Sequence, residues 1–215
     1  MSLLPPAIFE EPTWLTTDDG LQLEGLLSEV EGGRGWAVLC HPHPMHGGTM
    51  DNKVVVTATR TAAAAGLSTL RFNFRGVGRS QGRYGQGVAE VADVLAAIAA
   101  VRATRWLGFG ALLGFSFGAV VSARAASETE LGLDSMALIG LPLEMFEIPR
   151  PPLPSGGLQV VIGDQDQFCK VESARRFVAG YGSPAAVLKV VAGSDHFFGG
   201  HLGALSTALR EGLPK

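Results

Sequence analysis

At 215 residues the chain is long enough for a full layered core, and 47% apolar against 17% charged residues excludes a disordered chain. A net charge of −3 with no basic block offers nothing to nucleic acid or to an anionic membrane surface. Two cysteines, Cys40 and Cys169, with no CxxC spacing, make no disulfide framework and suit a reducing compartment. Met1–Glu11 has two early prolines and no positive region, unlike a signal peptide, so the expected location is cytoplasmic.

Thr13–Thr17 and Leu21–Ser28 flank Asp18-Asp19-Gly20 and predict an antiparallel hairpin. Trp36–Cys40 is a short apolar strand, followed by a helix over Met50–Ala65 with Thr49 as N-cap and Gly66 as its stop. Ser68–Phe74 reads as a strand. Gly87–Val101 reads as a helix with Val88, Val91, Leu95 and Ile98 on one face and Glu90 and Asp93 off it. Trp106–Ala123 is uncharged and about long enough for a marginal membrane span, but Gly108, Gly110, Gly114 and Gly118 divide it. It predicts a buried strand over Trp106–Leu113, a turn at Ser116 and a buried helix over Ala119–Ala126. Strands at Ser135–Ile139, Leu158–Gly163 and Ala186–Ala192 and helices at Lys170–Val178 and His201–Arg210 complete the chain.

Strands alternating with helices predict a doubly wound, mostly parallel sheet led by an antiparallel hairpin, in a single α/β domain over residues 1–215. In such a sheet ligands sit at the C-terminal strand ends. Pro142–Gly157 is rich in proline and too short for a separate domain, so no cap domain and an open or shallow pocket are expected.

Three of these strand ends carry chemistry. Gly114-Phe115-Ser116-Phe117-Gly118 is G-x-S-x-G between a strand and a helix, where flanking glycines let a sharp turn push a serine hydroxyl above the sheet. Gly163-Asp164-Gln165-Asp166 ends one later strand, and Gly193-Ser194-Asp195-His196 follows another. The order Ser, Asp, His suits a nucleophile, an acid that fixes the imidazole and a base that moves the proton. Ser116, Asp166 and His196 are the expected catalytic set. Asp195 adjoins His196 and orients it poorly, and Asp164 is placed to close a turn. Acyl transfer also needs two donors for the oxyanion. Phe117 supplies one N–H. The other comes from His41-Pro42-His43-Pro44-Met45-His46, where the prolines have no N–H, leaving His43, then Met45 or His46. His43 is preferred and is expected to act through its backbone, its imidazole being dispensable.

Competing readings are weaker. His41, His43 and His46 have the H-x-H-x-x-H spacing of binuclear zinc hydrolases, but Met45 stands where that type has Asp and the element order is wrong. A metal-dependent hydrolase on this loop is kept as an alternative. The glycines after Arg75 miss the dinucleotide-binding spacing, and Cys169 occupies the glycine position of a calcium loop. No cofactor and no metal are expected. Arg75 and Arg79 are expected in ion pairs, with anion binding as a secondary reading. A non-catalytic binding module on the same fold is the second alternative, although binding alone requires no Ser–Asp–His set.

With these motifs in place, the chain resembles a group of small bacterial α/β-hydrolases related to dienelactone hydrolases and to the catalytic domains of prolyl-oligopeptidase-type peptidases. The likeness rests on His41–Pro44 through Gly47–Val54, on Arg71–Gly82 and Gly114–Gly118, on Gly163–Asp166 and on Asp195-His196. Asn73 and Pro42 depart from the larger relatives' usual acid and glycine. The resemblance implies a metal-independent serine hydrolase with Ser116 as nucleophile, Asp166 as acid, His196 as base and His43 at the oxyanion position. Its expected partner is a small-molecule ester or thioester, with neither nucleic acid nor membrane.

Overall fold

A computed structural model describes residues 4–104 and 106–214, so part of the Met1–Glu11 segment lies outside the described residues. The elements are β1 (Glu11–Thr16), β2 (Gln22–Ser28), β3 (Gly35–Cys40), α1 (Lys53–Ala64), β4 (Leu67–Phe72), α2 (Glu90–Arg102) and β5 (Phe109–Phe115). Then follow α3 (Phe117–Glu128), β6 (Ser135–Ile139), β7 (Leu158–Gly163), α4 (Val171–Ala179), β8 (Ala186–Val191) and α5 (Leu202–Arg210). A single 3-10 turn, Pro44–His46, lies between β3 and α1.

The eight strands form one sheet in the order β1-β2-β4-β3-β5-β6-β7-β8. β1 pairs antiparallel with β2 and β2 with β4, and every later pair is parallel. Period-two alternation divides the central strands between two cores. Trp36, Val38 and Cys40 of β3 face α2, α3 and α4, whereas Ala37 and Leu39 face α1 and α5. Both faces of the central strands are therefore covered, as parallel sheets require. This is the doubly wound, mostly parallel sheet led by an antiparallel hairpin that the sequence predicts. Pro142–Gly157 forms neither helix nor strand, so among the described residues no cap domain stands over the sheet. Among the described residues no helix is long and apolar enough to cross a membrane.

Three elements start three residues later than their sequences suggest. α1 is capped by Asn52, whose Oδ1 accepts the Val54 N–H at 2.9 Å, and not by Thr49. The Met50 N–H is drawn instead to Asn73 Oδ1 at 2.8 Å, which holds Thr49–Asp51 in a turn. β5 begins at Phe109 rather than Trp106. Gly108 adopts φ 108°, and a Cβ there would lie 2.4 Å from the Arg34 carbonyl oxygen, so the extended run breaks at that glycine. α2 begins at Glu90, leaving Val88 exposed in the preceding turn.

Glu90 and Asp93 are buried rather than displayed on an outer face. Each has backbone donors that make burial tolerable. Glu90 accepts the Gly85 and Gly87 N–H groups at 2.7 and 2.8 Å, and Asp93 accepts the Arg75 backbone and side-chain N–H groups at 2.7–2.9 Å. These carboxylates pin the long β4–α2 connection against α2.

Candidate active site

β5 ends at Phe115 and α3 starts at Phe117, so Ser116 alone makes the strand-to-helix turn. It does so at φ 55°, ψ −116°, a region that costs a non-glycine residue about 1–3 kcal/mol. The surroundings hold it there. The Ser116 N–H donates to the Ile139 carbonyl at 2.8 Å, and its own carbonyl accepts from Ala119 and Val120. The flanking glycines are sterically required. A Cβ on Gly114 would lie 2.4 Å from the Gly118 carbonyl oxygen, and one on Gly118 would lie 2.4 Å from that of Cys40. The first turn of α3 thus rests directly on the main chain leaving β3.

His196, in the loop after β8, lies with Nε2 3.0 Å from Ser116 Oγ and Nδ1 2.9 Å from Asp166 Oδ2. A carboxylate can only accept, so Nδ1 carries the proton and the Nε2 lone pair faces the serine hydroxyl. Asp166 is fixed in turn, its Oδ1 accepting from the Phe168 and Cys169 N–H groups at 2.8 and 3.1 Å. Asp166 and His196 are both buried. The imidazole sits among Phe115, Phe168 and Phe197, with ring centroids 4.7–5.3 Å away. Gly140 leaves room for it, since a Cβ there would come within 3.1 Å of His196 Cε1.

The neighbouring acids are engaged elsewhere. Asp164 Oδ1 accepts the Gly193 N–H at 2.7 Å and ties the ends of β7 and β8 together. Asp195 Oδ1 accepts from the Phe197 and Gly199 N–H groups and closes its own turn. Of the three aspartates, only Asp166 bonds the His196 ring.

The histidine-rich loop lies across from this row. Phe117 is the first residue of α3, and its N–H has no acceptor among the described residues, as expected at a helix start. The His43 N–H also has none. The Met45 N–H goes to His43 Nδ1 at 3.2 Å, and the His46 and Gly48 N–H groups go to the His43 carbonyl at 3.1 and 3.0 Å. Met45 and His46 therefore have no N–H to offer. The His43 imidazole is not idle: besides accepting from Met45, it meets the Tyr84 hydroxyl through Nε2 at 3.0 Å.

His41 is wholly buried and its ring nitrogens are both committed. Nδ1 faces the Pro42 carbonyl at 2.6 Å, and Nε2 accepts the Phe74 N–H at 3.0 Å. Burial drives its pKa down to about 4, so the ring is neutral. With His41 and His43 engaged through their ring nitrogens, the H-x-H-x-x-H spacing does not become a ligand set. Among the described residues no three His, Cys, Asp or Glu side chains are arranged to hold a metal.

Above Ser116 opens a pocket of about 530 Å³. Its floor is Ser116, Phe117 and His196, with the histidine-rich loop and Asn52 on one side. Phe168, Phe197, Pro142, Met145 and Phe146 form the other side, and among the described residues no Lys, Arg, Asp or Glu lines it. Arg75 and Arg79 lie elsewhere, paired with Asp93 and Asp19 and with Glu24 respectively. The sequence offered no signal for Tyr84, which sits in a glycine-rich connection without periodicity. Met145 and Phe146 belong to an irregular segment whose path only the folded chain defines.

No family model matches the chain. An uncharacterised protein of Rickettsia prowazekii is 32% identical over 179 residues, 75% of this chain and 71% of that one. A lidless α/β serine hydrolase from Xanthomonas campestris superposes with a TM-score of 0.85 at 30% identity, covering 98% of this chain and 99% of its own. An α/β serine hydrolase homologue from Coxiella burnetii gives 0.81 at 34% identity, covering 96% and 98%. Identity at this level, carried through both chains nearly end to end on one sheet topology, places the protein in the α/β serine hydrolase family.

Proposed function

We propose that the protein cleaves small-molecule carboxylic esters or thioesters through an acyl-enzyme on Ser116. The observation that carries this reading is the unbroken hydrogen-bonded row Ser116–His196–Asp166, whose serine and histidine line a mostly apolar pocket. His196 Nε2 takes the hydroxyl proton as Ser116 Oγ attacks the acyl carbon. Asp166 holds the ring tautomer and stabilises the imidazolium. The developing oxyanion is met by the N–H groups of Phe117 and His43, two donors with no competing acceptor among the described residues. Collapse breaks the bond to the leaving oxygen or sulfur, which receives the proton from His196. Water, deprotonated by the same nitrogen, then releases the acid and restores the serine.

A fluorophosphonate probe and a panel of nitrophenyl esters of graded acyl length test this. Covalent labelling at Ser116, abolished in Ser116→Ala, with burst kinetics on at least one ester, is the expected result. Folded protein that neither labels nor turns over any ester or thioester would instead be a binding module on this fold.

A further inference from the structure

The His43 side chain has a part in this site that its backbone N–H does not account for. His43 has φ −55° and ψ 120°, and its Nδ1 accepts the N–H two residues on, that of Met45, at 3.2 Å. A few residues later Asn52 has φ −55° and ψ 135°, and its Oδ1 accepts the N–H of Val54 at 2.9 Å. In both side chains the accepting atom is bonded directly to Cγ. The imidazole thus closes the same side-chain-to-backbone turn that asparagine closes.

An accepting Nδ1 leaves the proton of the neutral ring on Nε2, which faces the Tyr84 hydroxyl at 3.0 Å. Burial and the nearby His46 both lower the pKa of this ring and so favour the neutral form. Tyr84, Phe117 and His46 surround it, with centroids 4.6–5.0 Å away. The ring is held from three elements, and it holds its own main chain in return. The His43 carbonyl is occupied by His46 and Gly48, and its N–H has no partner among the described residues.

Resting on the hydrolase reading above, we propose that the His43 imidazole is a positioning residue. Clamped between the Met45 N–H and the Tyr84 hydroxyl, it fixes the His43 peptide so that the second oxyanion donor stands preformed at the pocket. Preorganisation of that donor acts on the transition state more than on the bound substrate. The effect of losing it falls on kcat.

The test compares His43→Ala, His43→Asn and Tyr84→Phe on the best nitrophenyl ester, with circular dichroism and fluorophosphonate labelling of each protein. His43→Ala keeps its N–H but loses the clamp. It is expected to lose about 10²-fold in kcat, with KM within about threefold. His43→Asn restores the Cγ-linked acceptor and is expected to recover to within about tenfold of wild type. Tyr84→Phe keeps the ring contact and loses one hydrogen bond, for a loss of about threefold to tenfold in kcat. His43→Ala within threefold of wild type, or His43→Asn as impaired as His43→Ala, overturns the positioning role. A His43→Ala protein that fails to fold leaves His43→Asn and Tyr84→Phe to decide. An effect confined to KM in both would overturn the proposal. Wild-type protein that neither labels nor hydrolyses would overturn the hydrolase reading itself, whereas labelled, active wild type with an indifferent His43 overturns only this inference.

Discussion

Ser116 occupies backbone space that glycine would occupy without strain, and its side chain is retained there regardless. Strain and function can be separated at this position. Ser116→Ala keeps the strained φ and removes the proposed nucleophile, whereas Ser116→Gly removes both. Each is expected to lose roughly 10³-fold or more in ester turnover. Ser116→Gly is also expected to be more stable than Ser116→Ala by about 1–3 kcal/mol in urea titration. Equal stabilities would mean that the strain is no larger than the roughly 0.4–1 kcal/mol glycine loses through its more flexible unfolded chain. The acid is tested in the same spirit. Asp166→Asn keeps the shape of the side chain but can donate to Nδ1, favouring the wrong tautomer of His196, and turnover is expected to drop by roughly 10⁴-fold. Asp164→Asn and Asp195→Asn are expected to stay within about tenfold, because their carboxylates bond backbone N–H groups instead. Turnover of the three variants, with circular dichroism as the folding control, decides the assignment. A dead Asp164→Asn beside an active Asp166→Asn would reverse it.

Between elements, the site depends on main chains packed without intervening side chains. α3 lies on the end of β3 because residue 118 is glycine. In Gly118→Ala the new methyl would sit 2.4 and 2.6 Å from the Cys40 and His41 carbonyl oxygens, neither of which can rotate away. Stability is expected to fall by at least 1–3 kcal/mol, with activity falling as the helix lifts from the loop. A variant that matches wild type in both urea midpoint and turnover would show that the contact is slack. His41 makes the other main-chain link, from the end of β3 to Phe74 beyond β4. Its pKa lies near 4 in the fold against 6.5 unfolded, so below pH 6.5 the unfolded chain binds the extra proton. The stability this neutral histidine provides is complete above pH 6.5. It is lost progressively as the pH falls towards 4, to a total of about 3 kcal/mol. His41→Gln can accept from Phe74 but cannot be protonated. The stability gap between wild type and this variant is expected to narrow by about 2–3 kcal/mol between pH 7 and pH 4.5. A gap that does not change with pH would mean that His41 is not held neutral.

At the scale of the molecule, the alternation of apolar strands with helical segments was readable, and with it the places where Ser116, Asp166 and His196 end their strands. That information is local: a strand, a turn and the residue that follows. Burial of Glu90 and Asp93 was not readable, because their partners come from Gly85, Gly87 and Arg75, and no hydrophobic period reports a carboxylate satisfied by backbone N–H groups. The His43–Tyr84 contact spans 41 positions, and the pocket wall from Pro142, Met145 and Phe146 has no periodicity at all. Met145 and Phe197 remain about half exposed at the pocket mouth, with no cap above them. On the acyl-enzyme reading proposed above, an uncovered mouth would admit acyl acceptors as freely as acyl donors. With the acyl group on Ser116, no cap among the described residues would reserve the second half of that reaction for water. In methanol–water mixtures the acyl group is expected to partition, giving methyl ester beside free acid in a ratio that rises with methanol. Mass spectrometry of the products reads that ratio. Acid alone at every methanol concentration would mean that the open mouth still discriminates between acceptors. If the proposed acyl-enzyme forms beneath this open mouth, the solvent would choose its acceptor, and hydrolysis would be one transfer among several.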